Sequence, residues 1–190
     1  MAAKCRLFGT GMERIPNLAF RFMAGFFVFR DFIKEMTSSF SKRLAAFGIE
    51  VGHSVIDYGC GPGGYLRTVS RLVGEKGKVY ALDVHPLAIK AVQKKVARHN
   101  LTNVVPVVVD GYSCSLNEQI ADVIYALDMF HMVKSPNDFL KECRRLLKPD
   151  GHLIIDDGHQ RRAETRRKIS GSGLWRIVEE SKDHLRCAPK

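Results

Sequence analysis

The chain has 190 residues, 45% hydrophobic and 26% charged, enough for one domain with a real core and too few for two of ordinary size. No apolar run is long enough to cross a bilayer, and a formal charge of +10 favours anionic partners, admitting nucleic acid, acidic metabolites or lipid headgroups without choosing among them. Five scattered cysteines without a C-x-x-C pair indicate neither a disulfide framework nor a zinc site, and with an N-terminus unlike a signal peptide they fit a reducing, cytoplasmic setting.

The first element is rich in phenylalanine. From Pro16 to Met36, Phe22, Phe26, Phe29, Ile33 and Met36 recur at helical spacing, while Arg21, Arg30, Lys34 and Glu35 supply polar faces. Such a helix packs on the domain that follows or, with arginines beside aromatic rings, lies on a membrane surface. Residues 1–50 therefore read as an N-terminal helical segment ahead of a domain over 51–190.

Residues 55–65 run Val-Ile-Asp-Tyr-Gly-Cys-Gly-Pro-Gly-Gly-Tyr, a short strand ending in a carboxylate and breaking into a glycine-rich loop. Glycines 59, 61 and 63 let the backbone turn sharply and approach a ligand, with amides ahead of the next helix facing it. The glycines alone do not choose the ligand, because Gly59, Gly61 and Gly64 also satisfy the dinucleotide pattern G-x-G-x-x-G. Asp57 tips the balance, since a fixed negative charge there opposes a pyrophosphate and suits the ammonium and sulfonium of S-adenosylmethionine.

Beyond the loop, strands at Lys78–Asp83, Val104–Asp110, Asp122–Leu127 and Gly151–Asp156 alternate with helices near Gly64–Val73, Leu87–Asn100 and Pro136–Leu147. Valine, isoleucine and leucine on both strand faces predict a doubly wound α/β fold around a mostly parallel sheet. Ser135 and Pro136 form a helix start in which the hydroxyl caps free amides, and Pro149-Asp150-Gly151 ends that helix and turns into the next strand. A basic helix carries Arg161, Arg162, Arg166, Arg167 and Lys168, read as a solvated face ahead of a nucleic-acid groove because no aromatic residues are interleaved. Trp175–Glu180 and His184–Ala188 flank Ser181-Lys182-Asp183 as a closing antiparallel hairpin.

The string Asp-Tyr-Gly-Cys-Gly-Pro-Gly-Gly at 57–64 resembles the first motif of class I S-adenosylmethionine-dependent methyltransferases, and later motifs follow in the expected order from Val51 to the C-terminus. The resemblance implies a seven-stranded sheet with an antiparallel C-terminal hairpin, preceded by N-terminal helices, and S-adenosylmethionine as cofactor. It implies a cofactor site of Asp57, Gly59, Cys60, Gly61, Gly63, Asp83, Asp110, Gly111 and Asp128. Asp83 would accept hydrogen bonds from the ribose hydroxyls, and Asp110 one from the adenine amine. Val84 and His85 either pack on the adenine or begin the next helix. The N-terminal helices would cover the cofactor and shape the acceptor pocket.

Methyl transfer from a sulfonium relies on positioning, and a base matters only where the acceptor must lose a proton. His131, in Asp128-Met129-Phe130-His131-Met132, is the candidate base, with a structural role as the alternative. The paired-proline tetrapeptide of amino-group nucleic-acid methyltransferases is absent here. Asp128, Asp156 and Asp157 also resemble, in part, the magnesium ligands of catechol-type O-methyltransferases, although a metal-free site is the leading reading. The expected activity is methyl transfer to a small organic acceptor, with an RNA or protein methyltransferase, or a basic nucleic-acid-binding or partner module retaining the fold, as alternatives.

Overall fold

The computed structural model describes residues 39–190, so the phenylalanine-rich segment lies outside the described residues. Seven strands form one sheet: β1 (Ser54–Tyr58), β2 (Lys78–Asp83), β3 (Val104–Val108), β4 (Ala121–Ala126), β5 (Leu147–Ile155), β6 (Trp175–Glu180) and β7 (Leu185–Pro189). Their order is β3-β2-β1-β4-β5-β7-β6, with β1 to β5 parallel and β7 antiparallel to both β5 and β6. The strand order reverses beside β1, so the carboxyl ends of β1 and β4 flank the crevice where ligands of open α/β sheets bind.

Alternation along the strands divides the core between two faces. Ile56 and Tyr58 on β1, Leu82 on β2 and Ile124 on β4 pack with Phe139, Leu140, Cys143 and Leu146 of α4 (Pro136–Leu146) and Ile169 of α5 (Arg162–Gly171). Val55, Val79, Val123 and Tyr125 face the other way, against Leu44 of α1 (Ser39–Ala45), Leu66, Val69 and Val73 of α2 (Leu66–Val73), and Ile89 and Val92 of α3 (Pro86–His99). Burial on both faces explains why the strands read as continuous apolar runs. Trp175 is buried, and its indole N–H donates to the Leu140 carbonyl at 3.2 Å, the partner such a ring needs in a dry core.

Helix α1 docks through polar as well as apolar contacts. Leu44 and the following Phe47 are fully buried, Phe47 meeting the rings of Tyr125 and His184 with centroids at 5.9 and 5.0 Å. The chain just past the helix is tied to the far end of the sheet, His152 Nε2 lying 2.6 Å from the Phe47 carbonyl and Arg186 Nη2 donating to the Ala46 carbonyl at 2.7 Å. Those two contacts satisfy carbonyls that no longer belong to the helix.

Several local expectations are corrected. Ser135 makes no side-chain cap, and proline at the first turn of α4 is the start signal that holds. Pro149-Asp150-Gly151 does not separate helix from strand: α4 passes directly into β5 at Leu147, whose backbone is extended (φ −84°, ψ 136°). The three residues form an irregularity inside β5, where its register with β4 shifts between Ala121 and Val123. Asp122 pins this spot by accepting from Lys148 Nζ at 2.6 Å and the Ser54 amide at 2.7 Å. A Cβ at Gly151 would fall 2.7 Å from the Asp122 carbonyl oxygen, so glycine is required there by close backbone approach.

Candidate functional site

The glycine loop folds over the end of β2. Both the Gly59 and Cys60 amides donate to the Leu82 carbonyl, at 2.8 and 2.9 Å, which bends the chain back across the strand that follows it in the sheet. Gly59, Gly61 and Gly63 all have left-handed φ (79°, 51° and 77°), so the turn is one that glycine makes without strain. Their surroundings differ. A Cβ on Gly63 would lie 2.6 Å from Leu66 Cδ1, whereas one on Gly61 would project into open space. Gly63 is therefore a packing position for α2, and Gly61 is the one at the open rim.

The loop amides are arranged differently from the sequence expectation. The Gly61 amide donates to Asp83 Oδ2 at 2.8 Å, and the Gly63 amide donates to the Cys60 carbonyl at 2.9 Å. Asp83 also accepts the His85 amide on Oδ1 at 2.8 Å. The carboxylate as a whole retains a further acceptor position. Burial pushes the Asp83 carboxyl above its usual range, opposed by amide donation from His85, Gly61 and Val84. Asp83 is thus a shaped acceptor whose orientation is fixed by backbone amides.

Neighbouring strand ends bring the other carboxylates to the same rim. The Val109 amide donates to the Asp83 carbonyl at 3.0 Å, which seats Asp110 beside it. Asp110 and Ser113 exchange amide bonds at 2.9 and 3.0 Å, closing a tight turn whose Gly111 has φ 62° and open space where a Cβ would stand. Asp57 is 3% exposed, lies in register with Tyr125 on the face toward α1 and α2, and works with burial to hold the Tyr125 phenol well above its usual range. Cys60 is buried beside it, its thiol pushed up by burial and then by Asp83 and Asp57. Val84 departs from expectation: it is fully buried in the core with Leu82 and Val107, so its side chain is withdrawn from the rim. His85 caps α3 by accepting the Leu87 amide at 3.1 Å.

The acceptor side lies past β4 and β5. Asp128 adopts φ 57° and its amide donates to Asp156 Oδ1 at 2.8 Å. Asp156 is 4% exposed and also accepts Arg43 Nη2 at 2.6 Å, while Arg43 Nη1 donates to the Tyr65 hydroxyl at 2.8 Å. Burial pushes Asp156 up, and the Arg43 charge pulls it back. Burial likewise pushes Tyr65 up to about 12, leaving a neutral phenol beside the guanidinium. Asp157 is clamped by Arg162 Nε at 2.9 and 2.7 Å and accepts Thr165 Oγ1 at 2.7 Å. Of the three carboxylates of the magnesium alternative, Asp128, Asp156 and Asp157, two are paired with arginines, Asp156 with Arg43 and Asp157 with Arg162. Among the described residues no cluster of three or more ligating side chains is placed to hold a metal.

His131 sits on a short 3₁₀ turn, Phe130–Met132, with its ring against Gly158 and in a T-shaped contact with His159 (centroids 4.8 Å, 82°). Its Nδ1 is buried and has no hydrogen-bond partner. Burial and then His159 lower its pKa from 6.5, so the imidazole is neutral near pH 7. A cavity of about 350 Å³ opens on the other side of Gly158, lined by Arg43, Asp128, Asp156, Asp157, Gly158 and Asp183 and not by His131 itself. Arg43 and Asp183 were missed in the sequence because neither belongs to a motif; one comes from α1 and the other from the hairpin turn.

Three of the basic helix's five cations are held in ion pairs. Arg162 and Arg166 pair with Glu180, and Arg167 pairs with Glu164.

Asp83 and Asp110 thus stand side by side at the carboxyl-end rim of a seven-stranded α/β sheet of this order, with Asp57 buried behind them. A family model described as a methyltransferase domain matches residues 56–155, over half of the chain. A crystal structure of a SAM-dependent methyltransferase from Aquifex aeolicus is 31% identical, superposes with a TM-score of 0.68, and shares 78% of this chain and 87% of its own. The ubiquinone/menaquinone biosynthesis C-methyltransferase UbiE of Pseudoalteromonas translucida is 29% identical over 115 residues, 59% of this chain and 45% of its own length. A SAM-dependent O-methyltransferase of Thermotoga maritima, 19% identical with a TM-score of 0.62 over 80% of this chain and 64% of its own, shares the fold. The chain belongs to the methyltransferase domain family, as a class I S-adenosylmethionine-dependent methyltransferase. It spans less than half the length of the curated relatives it matches first.

The residues fit that cofactor. Asp83 retains acceptor capacity at the rim, and the open positions at Gly61 and Gly111 form a cradle that any larger side chain would enter.

Proposed function

We propose that the chain transfers a methyl group from S-adenosylmethionine to a small organic acceptor. The observation that carries this reading is the placement of Asp83 between the Gly61 and His85 amides, at the strand end next to the Gly111 turn. Asp83 would receive the ribose hydroxyls, and Asp110 with the Gly111 backbone the adenine amine. Asp57, Gly59, Cys60 and Asp128 would border the methionine end, with Gly61 admitting close approach and Gly63 holding the loop to α2. When bound, the cofactor supplies a methyl carbon activated by a sulfonium leaving group.

Holding an acceptor atom in line with that carbon accounts for up to about 7–11 kcal/mol of barrier lowering, so positioning by the cavity walls is the main demand on the protein. Asp128 and Asp156 fix the wall after β4 and β5, and Arg43 holds α1 against it. His131, neutral near pH 7, is available to take a proton from an acceptor that must lose one. Residues 1–50 would form a segment over the acceptor side, a reading supported by the Arg43 bridge from α1. Among the described residues all four cysteines are free thiols, which supports a reducing, cytoplasmic setting.

Incubation of the full chain with methyl-labelled S-adenosylmethionine and a fractionated cell extract tests the acceptor class. Label is expected in the low-mass filtrate. Label confined to precipitated RNA or protein would replace the small-acceptor reading with a macromolecular one.

A further inference from the structure

The methionine end of S-adenosylmethionine carries an α-carboxylate beside its ammonium and sulfonium, so the crevice that takes it needs a cation as well as carboxylates. Asp57 and Asp128, which the methyl-transfer reading places at that end, answer the two positive groups and would repel the carboxylate. Other cations near the strand ends are committed to protein partners: Lys95 Nζ donates to the Gly63 carbonyl at 2.6 Å, Arg162 clamps Asp157, and Lys168 Nζ donates to Gln160 Oε1 at 2.7 Å. Arg43 is placed differently. It joins the glycine-loop side, through the Tyr65 hydroxyl at 2.8 Å, to the wall after β5, through Asp156 at 2.6 Å, and it is the single cation among the described residues lining the cavity there. The Asp128 charge reaches the same guanidinium. Of its five N–H groups, Nη1 and Nη2 each spend one on those partners, and Nε is buried without an acceptor, so donors remain once the ion pair with Asp156 is made. The side chain is 22% exposed, which leaves it within reach of a ligand.

We infer that Arg43 binds the α-carboxylate of S-adenosylmethionine and thereby selects the amino-acid-bearing cofactor over adenosyl thioethers that lack this group. This inference rests on the methyl-transfer reading. An arginine–carboxylate contact is a charge-assisted hydrogen bond, strongest where solvent is partly excluded, as it is around Arg43. Asp156 does not use up the guanidinium, because protein and ligand carboxylates draw on different N–H groups. With Asp57 and Asp128 facing the ammonium and sulfonium, each charged group at this end of the cofactor then has a counterpart of opposite sign. Tyr65 acts through Arg43 as a positioning residue: its hydroxyl accepts from Nη1 and keeps the guanidinium from turning wholly onto Asp156. A nucleoside that ends in an amine without the carboxylate leaves Arg43 donors unmatched, and a site built to hydrogen-bond a ligand group rejects the analogue lacking it far more strongly than an apolar pocket does.

The test is calorimetric titration of the full chain with S-adenosylhomocysteine, its decarboxylated analogue and its primary carboxamide, which share the adenosine, thioether and ammonium and differ only at the carboxylate. The parent is expected to bind S-adenosylhomocysteine at least tenfold more tightly than either analogue, and Arg43→Gln to bring the three within about twofold of one another. The ratio is read within one variant, so a general loss of stability does not imitate the result. If Arg43→Gln does not fold, Arg43→Gln combined with Asp156→Asn removes the buried carboxylate together with its cation, and its ratio is compared with that of Asp156→Asn alone. Equal binding of the three ligands by the parent, or a preference that survives loss of the arginine because all three weaken alike, overturns the Arg43 assignment while leaving methyl transfer standing. Failure of the parent to bind S-adenosylhomocysteine at all overturns the methyl-transfer reading itself.

Discussion

Arg43 and Asp156 are 113 positions apart in sequence and meet at 2.6 Å, joining helix α1 to the carboxyl end of β5. The pair does more than hold α1. Asp156 uses its other oxygen on the Asp128 amide, and Arg43 uses its other terminal nitrogen on the Tyr65 hydroxyl, so one ion pair connects the glycine-loop side of the crevice with the acceptor side. Removing the guanidinium leaves a buried carboxylate without its cation. Arg43→Met is expected to destabilise the chain by about 1–3 kcal/mol, less than a fully dry pair because the arginine is 22% exposed. Urea unfolding of Arg43→Met, Asp156→Asn and the double variant checks this, and the double variant should lose less than the sum of the singles. Strict additivity would show that the pair is not coupled.

The glycines of the loop should separate into two kinds. Gly63→Ala drives a Cβ into Leu66 at a left-handed φ and is expected to cost about 2–4 kcal/mol of stability. Gly61→Ala meets no atom and should cost about 1–2 kcal/mol from backbone strain, with a disproportionate loss of S-adenosylhomocysteine affinity. Thermal unfolding and calorimetry on the two variants measure the contrast. Equal affinity losses at matched stability would remove the distinction.

Acidification should destabilise the protein from about pH 6.5 downward. Burial lowers the pKa values of His131, His152 and His184 below their ordinary 6.5. Below 6.5 the unfolded chain therefore binds more protons than the folded one, and stability falls as pH falls toward the folded values. Each group contributes at most about 1.4 kcal/mol per pH unit. Asp83 and Asp156, raised by burial, act with the opposite sign: their contribution is fully present below their ordinary 3.8 and is lost as pH rises through their folded values. Comparing His152→Gln with the parent isolates one histidine from that background. The urea midpoint of the parent is expected to drop between pH 7.5 and 5.5, and the variant to drop less. Parallel curves would assign the loss elsewhere.

His131 is held against Gly158, and a methyl group added at that glycine would displace the ring. Gly158→Ala is expected to lower kcat for any acceptor that loses a proton, by roughly tenfold or more, while leaving S-adenosylhomocysteine affinity within about twofold. Unchanged kcat across pH 6–8 would make His131 a purely structural residue.

The sheet was legible because its strands are buried on both faces, and Val55-Ile56 or Val104–Val108 can scarcely be read otherwise. Asp57, Asp83 and Asp110 were legible as a group because each follows an apolar run, and parallel strands deliver such ends to one rim. The start of β5 was not: Pro149-Asp150-Gly151 has turn chemistry locally, but Asp122 from the neighbouring strand draws Lys148 into pairing with a 2.6 Å ion pair, and tertiary contact overrides the local signal. Val84 was misplaced for a related reason, since its burial depends on Val107 from β3. Arg43 and Asp183 carry no pattern at all, and their roles exist only once α1 and the β6–β7 turn are folded against β5.

Calorimetric titration of the full chain with S-adenosylhomocysteine, repeated with Asp83→Ala, reaches the central claim most directly. One saturable site is expected in the parent, weakened at least tenfold by the substitution, with no binding of NADH to either. Unchanged S-adenosylhomocysteine affinity in Asp83→Ala, or NADH competing for the site, would contradict the assignment of this carboxylate rim to a phosphate-free nucleoside.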